Sequence, residues 1–354
     1  MRRRPSRAAH LGSGAGDTEE FEGLRVRGLT IVYGTEAGEL AAVRQVDLDL
    51  QAGTITGLVG ESGSGKSTLA LAMLNAVPSP GRITAGSVTM SGIGDITRLR
   101  GRALREVRGG VLGYVFQASQ NSLNPLKRVG AQLLDLARSH GVPQPRLILG
   151  EAQRLCERMG LDATRVLSSY QHELSGGMRQ RVGIVFALVL NAKVLILDEP
   201  TTALDMLSQA AVLQVVREIH AERRLATVVI THDIAVVAEM ADRVVVTYAG
   251  RIVESGATGD VLRHAAHPYT RALLRSIPRI SGDISAAEPL PGRPPDLASI
   301  PTVGCVFRAR CPLALPICSE VDPATVSVGP GHATACHLAA GPLAVPERTE
   351  EVAG

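Results

Sequence analysis

The chain is poor in aromatic residues, with no tryptophan and a Phe and Tyr content of only 3%, and its formal charge of +3 is small for its 354 residues. Neither a stacking platform for bases nor a basic stripe along a phosphate backbone is therefore indicated, and DNA or RNA is not an expected partner. Long hydrophobic runs are lacking too. The longest, Val182 to Leu190, is bounded by Arg181 and Asn191 and is far too short to span a bilayer, so any membrane role must come through a partner. The basic start Met1-Arg2-Arg3-Arg4-Pro5-Ser6-Arg7 is followed by no apolar core, which makes residues 1–22 a flexible tail rather than an export signal. Five cysteines in such a chain suggest a reducing compartment, where thiols serve metals or catalysis more often than disulfides. No repeat of fixed period is present.

What is present in quantity is apolar residue, 45% of the chain, enough for one large α/β domain and an appended module. The most informative stretch is Gly60-Glu61-Ser62-Gly63-Ser64-Gly65-Lys66-Ser67-Thr68. It lies between a strand-like run, Thr54 to Val59, and a helix continuing through Leu69 to Leu74, which is the context a phosphate-binding loop requires. Glycines let its backbone N–H groups turn inward as an anion cradle at a helix N-terminus. Lys66 adds a charge for the β- and γ-phosphates, and the Ser67 hydroxyl can ligate Mg²⁺.

Around this loop the hydrophobic pattern changes three times. From Leu24 to Leu50 the alternation suits short antiparallel strands. Between about Gln117 and Leu190 it becomes helical, as in Ala131 to Ala137 and Ala152 to Met159, and suggests an inserted helical subdomain. Strand signals return at Val194 to Leu197, Thr227 to Ile230 and Val244 to Val246, spaced by helix-length segments, which implies a parallel sheet. After His264 prolines accumulate, at Pro289, Pro291, Pro294, Pro295 and Pro301, and a second module is expected to begin near there.

The run Val194 to Leu197 delivers Asp198 and Glu199 at its C-terminal end, where ligands bind in open α/β sheets. Asp198 is placed to hold the Mg²⁺ shell and Glu199 to orient or deprotonate an attacking water; on its own the pair would serve equally well as a helix cap. Ser175-Gly176-Gly177 precedes another helical stretch and is either a second anion cradle or an ordinary cap. Thr231-His232-Asp233 follows a further strand.

In this order, from the phosphate loop to Thr231-His232-Asp233, the elements resemble the ATP-binding cassette (ABC) superfamily over roughly Leu24 to Leu262. The resemblance implies a P-loop ABC ATPase domain at 23–262, with a parallel-sheet core, an antiparallel β subdomain and a helical subdomain at about 117–190. It implies Tyr33 as the aromatic that stacks on adenine, with a packed strand ring as the plain alternative. Gln117 matches the glutamine that joins the metal and water network and reports to the membrane partner. His232 matches the switch histidine at the γ-phosphate, and Ala203-Leu204-Asp205 the loop that crosses to a second subunit. Two cassettes of this family close head to tail, so Lys66 and Ser175 would serve different ATP molecules.

Finer features are similar to the ATP-binding subunits of bacterial dipeptide and oligopeptide importers, a group that includes nickel importers. They are the Gly60 to Gly65 form of the loop, Ser122-Leu123-Asn124-Pro125, Met178 in place of the more usual glutamine, Pro200 to Asp205, and His267 to Leu274. Met178 implies a non-identical partner cassette, beside two integral-membrane permease subunits and an extracytoplasmic solute-binding protein. The chain would then lie at the cytoplasmic face of the membrane. Gln117-Ala118-Ser119 departs from the acidic residue and proline usual after that glutamine. A nickel or other small-solute importer remains an alternative cargo, and a soluble ABC ATPase of DNA repair or translation a second class, disfavoured by a single cassette and the low charge.

Cys305, Cys311, Cys318 and Cys336 fall in the expected extension, 263–340, ahead of a flexible tail at 341–354. Four thiols in a short proline-rich segment can close a Zn²⁺ site, hold an iron–sulfur cluster, or simply pack reduced. The patterns Gly304-Cys305-Val306-Phe307, Arg310-Cys311-Pro312 and Cys336-His337 resemble those of the importer subunits, and the resemblance implies a [4Fe–4S] cluster over zinc. Cys156, inside a helical pattern, is expected in the core.

Overall fold

The computed structural model describes residues 22–36, 38–117, 122–202, 204–276, 290 and 292–339. The two expected tails fall outside these, save Glu22, as do Ala118, Ser119, Ala203, Pro289 and Pro291.

The chain opens with β1 (Gly23–Thr35) and β2 (Gly38–Gln51), an antiparallel pair. In β2 the buried Val46, Leu48 and Leu50 alternate with the exposed Asp47, Asp49 and Gln51, the period-two pattern of a sheet with one dry face. Both strands are longer than the short ones expected, because irregularities between Val26 and Val32 interrupt the alternation without ending the pairing. Next come β3 (Thr54–Val59) and α1 (Lys66–Met73), then β4 (Gly81–Met90) and β5 (Gly94–Asp95), which complete a four-stranded sheet in the order β2-β1-β4-β5.

After α2 (Gly101–Val107) and β6 (Leu112–Val115) the chain turns helical: α3 (Val129–Ser139), α4 (Leu147–Arg158), α5 (Ala163–Ser168) and α6 (Gly176–Leu188). Apolar side chains recur at helical spacing, Val129, Leu133 and Ala137 on α3 and Ile148, Ala152, Leu155 and Cys156 on α4, so each helix buries one stripe. Cys156 is 1% exposed within this cluster.

Alternating strands and helices follow: β7 (Val194–Asp198), α7 (Met206–Arg223), β8 (Ala226–Ile230), α8 (Ile234–Met240) and β9 (Arg243–Tyr248). With β10 (Arg251–Ala257), α9 (Thr258–Arg263), α10 (Pro268–Arg275), β11 (Val326–Gly329) and β12 (His332–Thr334) they yield an eight-stranded sheet, β11-β12-β10-β9-β3-β8-β7-β6. Strands β9, β3, β8, β7 and β6 run parallel. Every residue of β7 and β8 is buried, as strands covered on both faces must be. On β7, Leu195 and Leu197 join the core beneath the helices, while Val194 and Ile196 join the one beneath the antiparallel sheet and α1. A side chain of this size gains about 1.5–3 kcal/mol on full burial, so both layers are held to the central sheet.

The segment after residue 263 is joined to that sheet. Strand β12 pairs with β10, Glu254 opposite Thr334, and Phe307 packs its ring against Tyr248 of β9 and Tyr269 of α10. Glu254 is fully buried and satisfied: it accepts from the N–H groups of Ala266 (2.6 Å) and His267 (3.0 Å) and faces His332 Nε2 at 2.7 Å. Among the described residues no helix is long and apolar enough to cross a membrane.

Candidate nucleotide site

The parallel strands β3, β8, β7 and β6 all end at one edge, and the chain leaving each contributes to a cavity of about 1120 Å³. From β3 comes the loop into α1. Two of its glycines are dictated by space: at Gly60 (φ 152°) a Cβ would lie 2.2 Å from Thr247 O, and at Gly65 (φ 95°) 2.5 Å from Ala42 O. Ser62, Gly63, Ser64, Gly65, Lys66, Ser67 and Thr68 line the cavity; Gly60 and Glu61 are not part of its wall. Lys66 Nζ donates to the carbonyls of Gly60 (2.7 Å) and Glu61 (2.8 Å) and to Ser64 Oγ (3.3 Å). Burial lowers the Lys66 pKa, with Glu199, Asp198 and Glu61 acting in the opposite sense.

Strand β7 ends on Asp198, only 2% exposed, whose carboxyl pKa is raised by burial. Ser67 Oγ donates to Asp198 Oδ1 (3.2 Å), and Tyr114 OH, from β6, donates to Oδ2 (2.9 Å). A buried carboxylate beside a hydroxyl at the foot of an anion cradle fits Mg²⁺, which takes one or two protein oxygens and completes its shell with phosphate and water.

Glu199 follows with φ 51°, a left-handed conformation uncommon for a non-glycine residue. Its backbone is tied on both sides: its N–H donates to Ile230 O (2.9 Å), and its carbonyl accepts from Gln180 Nε2 of α6 (3.2 Å). His232 donates to Glu199 Oε1 through its backbone N–H (3.2 Å) and faces the same oxygen with Nδ1 (2.7 Å); Thr231 Oγ1 donates to Oε2 (3.4 Å). A carboxylate only accepts, so the Nδ1 proton points at Glu199. The His232 side chain is 70% exposed and the Glu199 side chain 11%.

Tyr33, half-buried on β1, and the exposed Gln117, just beyond β6, also line the cavity. Thus Tyr33, the loop, Gln117, Asp198, Glu199 and His232 are brought together, whereas Ser175, Gly176 and Gly177 are not part of the wall. Ser175 instead caps α6, its Oγ accepting from Met178 N–H at 3.2 Å. Sequence reasoning missed Tyr114, Thr202 and Gln180 as neighbours of the two carboxylates. It also missed Arg293 to Leu297, which line the cavity from the C-terminal segment. The only local signal was the position of Tyr114, three residues before Gln117, on the strand that leads to it.

The four C-terminal thiols approach closely enough to feel one another's charge: Cys318, Cys336 and Cys311 oppose ionisation of Cys305, Cys336 and Cys318 that of Cys311, and Cys318 that of Cys336. Burial is the main cause that pushes Cys305 up to about 11 and raises Cys311 and Cys336. Yet among the described residues no group of three or more His, Cys, Asp or Glu is arranged to hold a metal ion. The structure therefore gives the expected four-thiolate centre, whether iron–sulfur or zinc, no geometric support.

Comparison with known proteins agrees with this geometry. Residues 43–202 match the ABC transporter family model, and residues 253–318 match the oligopeptide/dipeptide transporter C-terminal region. A putative peptide import ATP-binding protein of Brucella melitensis is 42% identical, covering 88% of this chain and 96% of its own. The dipeptide transport ATP-binding protein DppD of Caldanaerobacter subterraneus is 40% identical, covering 89% and 96%, and the oligopeptide transport ATP-binding protein OppD of Salmonella typhimurium 40%, covering 88% and 92%. Among solved structures, a dimeric bacterial ABC transporter cassette aligns with TM-score 0.58 at 25% identity, over 66% of this chain and 98% of that one.

Proposed function

The chain belongs to the ABC transporter family of ATP-binding, ATP-hydrolysing subunits, and from that premise we propose that it powers the import of di- or oligopeptides through separate membrane permeases. The observation that carries the ATPase is the convergence of Lys66, Ser67, Asp198, Glu199 and His232 on one cavity, and the peptide cargo is supported by the similarity to peptide-import subunits. Loop N–H groups and Lys66 cradle the β- and γ-phosphates, the ammonium exchanging its loop carbonyls for phosphate oxygens. Tyr33 stacks on the adenine. Mg²⁺, held by Ser67 and, through its shell, by Asp198 and Gln117, would neutralise the charge that develops on the phosphates. Glu199 receives the proton of the attacking water, or orients it, and the His232 side chain, fixed on Glu199 by its Nδ1–H, reaches the γ-phosphate.

Ser175, Gly176 and Gly177, standing off this cavity, serve the ATP of a partner cassette, and the partner's equivalent element closes this one. Closure then requires ATP, and hydrolysis reopens the pair. Met178 favours a non-identical partner. The division follows the same reading: a nucleotide-binding domain at 23–262 and an extension at 263–340, with the chain held peripherally at the cytoplasmic face by two permeases that receive solute from a binding protein. Affinity purification from membranes tests it: two integral-membrane proteins and a second cassette should co-purify, and ATPase activity stimulated by DNA or ribosomes with no permease bound would reject it.

The four clustered thiols support one finer reading, a [4Fe–4S] cluster bound by Cys305, Cys311, Cys318 and Cys336, on the chemistry of the donor set alone. Anaerobically purified protein should be brown and carry iron and sulfide. Stoichiometric zinc without iron, or neither metal, would reject it.

A further inference from the structure

Two motifs far apart in the sequence, the phosphate loop and Arg310-Cys311-Pro312, meet in the folded chain. The Arg310 guanidinium forms a two-pronged ion pair with Glu61, Nη1 to Oε2 at 2.6 Å and Nη2 to Oε1 at 3.0 Å. The pair is largely shielded, the Arg310 side chain 6% exposed and that of Glu61 18%. Arg310 is itself held: Nη1 donates to Tyr248 OH (3.3 Å), and the guanidinium lies 5.7 Å from the centre of the same ring. Its backbone is fixed by the turn between Cys305 and Cys311, in which Arg310 N–H donates to Phe307 O at 2.9 Å. The Glu61 backbone is held from the same side, its N–H donating to Tyr269 OH at 2.9 Å.

Glu61 is an acid inside an anion-binding loop, and a carboxylate turned toward the cavity would repel a triphosphate. Here it is drawn away. Ser62 to Thr68 line the cavity and Glu61 does not, while the Glu61 carbonyl remains one of the groups that hold Lys66. We propose that Arg310 is a positioning residue for ATP: by clamping and neutralising Glu61 it keeps the loop open to phosphate, so the C-terminal segment completes the ATP site of its own chain. The same segment reaches the cavity directly at Arg293 to Leu297, and Arg44 of β2 holds it there through Pro301 O (2.6 Å). This inference rests on the ATP-site reading above.

The test uses the full chain and equilibrium affinities for Mg²⁺-ATP and AMP, measured by competition with a fluorescent nucleotide. Arg310→Met should weaken Mg²⁺-ATP about tenfold, from one uncompensated charge near the phosphates, and AMP much less. Glu61→Gln in the Arg310→Met background should restore most of the ATP affinity, which a merely structural role for Arg310 would not allow. Arg310→Lys, which keeps the charge without the fork, should fall between the two. If Arg310→Met does not fold, the rescued double variant and Arg310→Lys still decide. An unchanged ATP affinity in Arg310→Lys and Arg310→Met, equal losses for ATP and AMP, or no rescue would overturn the inference. A wild-type chain that does not bind Mg²⁺-ATP would instead overturn the ATP-site reading.

Discussion

Glu199→Gln separates the chemistry of the site from its architecture. The amide is nearly isosteric, and its oxygen can keep the Oε1 position that accepts from His232 N–H at 3.2 Å. What is lost is the negative charge, the proton-accepting oxygen and the acceptor for the Thr231 hydroxyl proton, whose Oγ1 is now 3.4 Å from Oε2. The weakened hydrogen bonding costs about 1 kcal/mol of stability. Loss of a general base costs far more, about 10²–10⁴ in turnover, or about 3–5 kcal/mol of barrier. None of the atoms that cradle phosphate is touched, so Mg²⁺-ATP affinity should stay within about threefold, a difference of less than 1 kcal/mol. The assay is phosphate release under single-turnover conditions beside equilibrium ATP binding, with gel filtration to follow closure with the partner cassette. The variant should bind ATP, accumulate closed pairs and release phosphate at under about one hundredth of the wild-type rate. Release within about threefold of wild type would refute the assignment of Glu199 as the base.

Gly65→Ala should fail differently: a Cβ there meets Ala42 O at 2.5 Å at a φ of 95°, and the strain alone is about 1–3 kcal/mol. A lower melting temperature and no further rise on adding Mg²⁺-ATP are expected; a wild-type melting temperature with a normal ATP shift would contradict this. His267 has its pKa depressed to about 3 by burial, so it stays neutral in the fold while the unfolded chain takes up a proton near 6.5. The unfolded state then binds more protons below pH 6.5, and the contribution, fully present above that pH, is lost toward pH 3 at up to about 1.4 kcal/mol per unit. His267→Asn can keep a cap for Tyr269 N–H and removes this titration, so its urea midpoint should fall less steeply between pH 6.5 and 4. Equal slopes would contradict the assignment.

The parts legible in the sequence were those whose chemistry is local. The loop from Gly60 to Ser67 carries its own strand, turn and helix signals, and the apolar run ending in Asp198-Glu199 read as a buried strand whose two carboxylates took on a catalytic meaning only beside that loop. The lengths of β1 and β2 were not legible, because irregularities break the alternation that would announce them. Nor was the fate of the proline-rich segment, whose attachment depends on β12 pairing with β10 and on Phe307 meeting Tyr248, contacts between residues far apart in sequence. Tyr114, and the pairing of Arg310 with Glu61, escaped notice for the same reason: each matters through a partner that no local pattern names. Cysteine spacing showed that the four thiols could meet, and it carried no information on whether they would stand as ligands.

The central claim is that ATP turnover at this site drives peptide across a membrane. It is tested most directly by reconstituting the chain with its partner cassette and permeases in proteoliposomes and measuring peptide accumulation with wild-type chain and with Lys66→Ala. The account predicts ATP-dependent accumulation that collapses with Lys66→Ala while the complex still assembles. Peptide accumulation that persists undiminished with Lys66→Ala, or that proceeds without ATP, would contradict it.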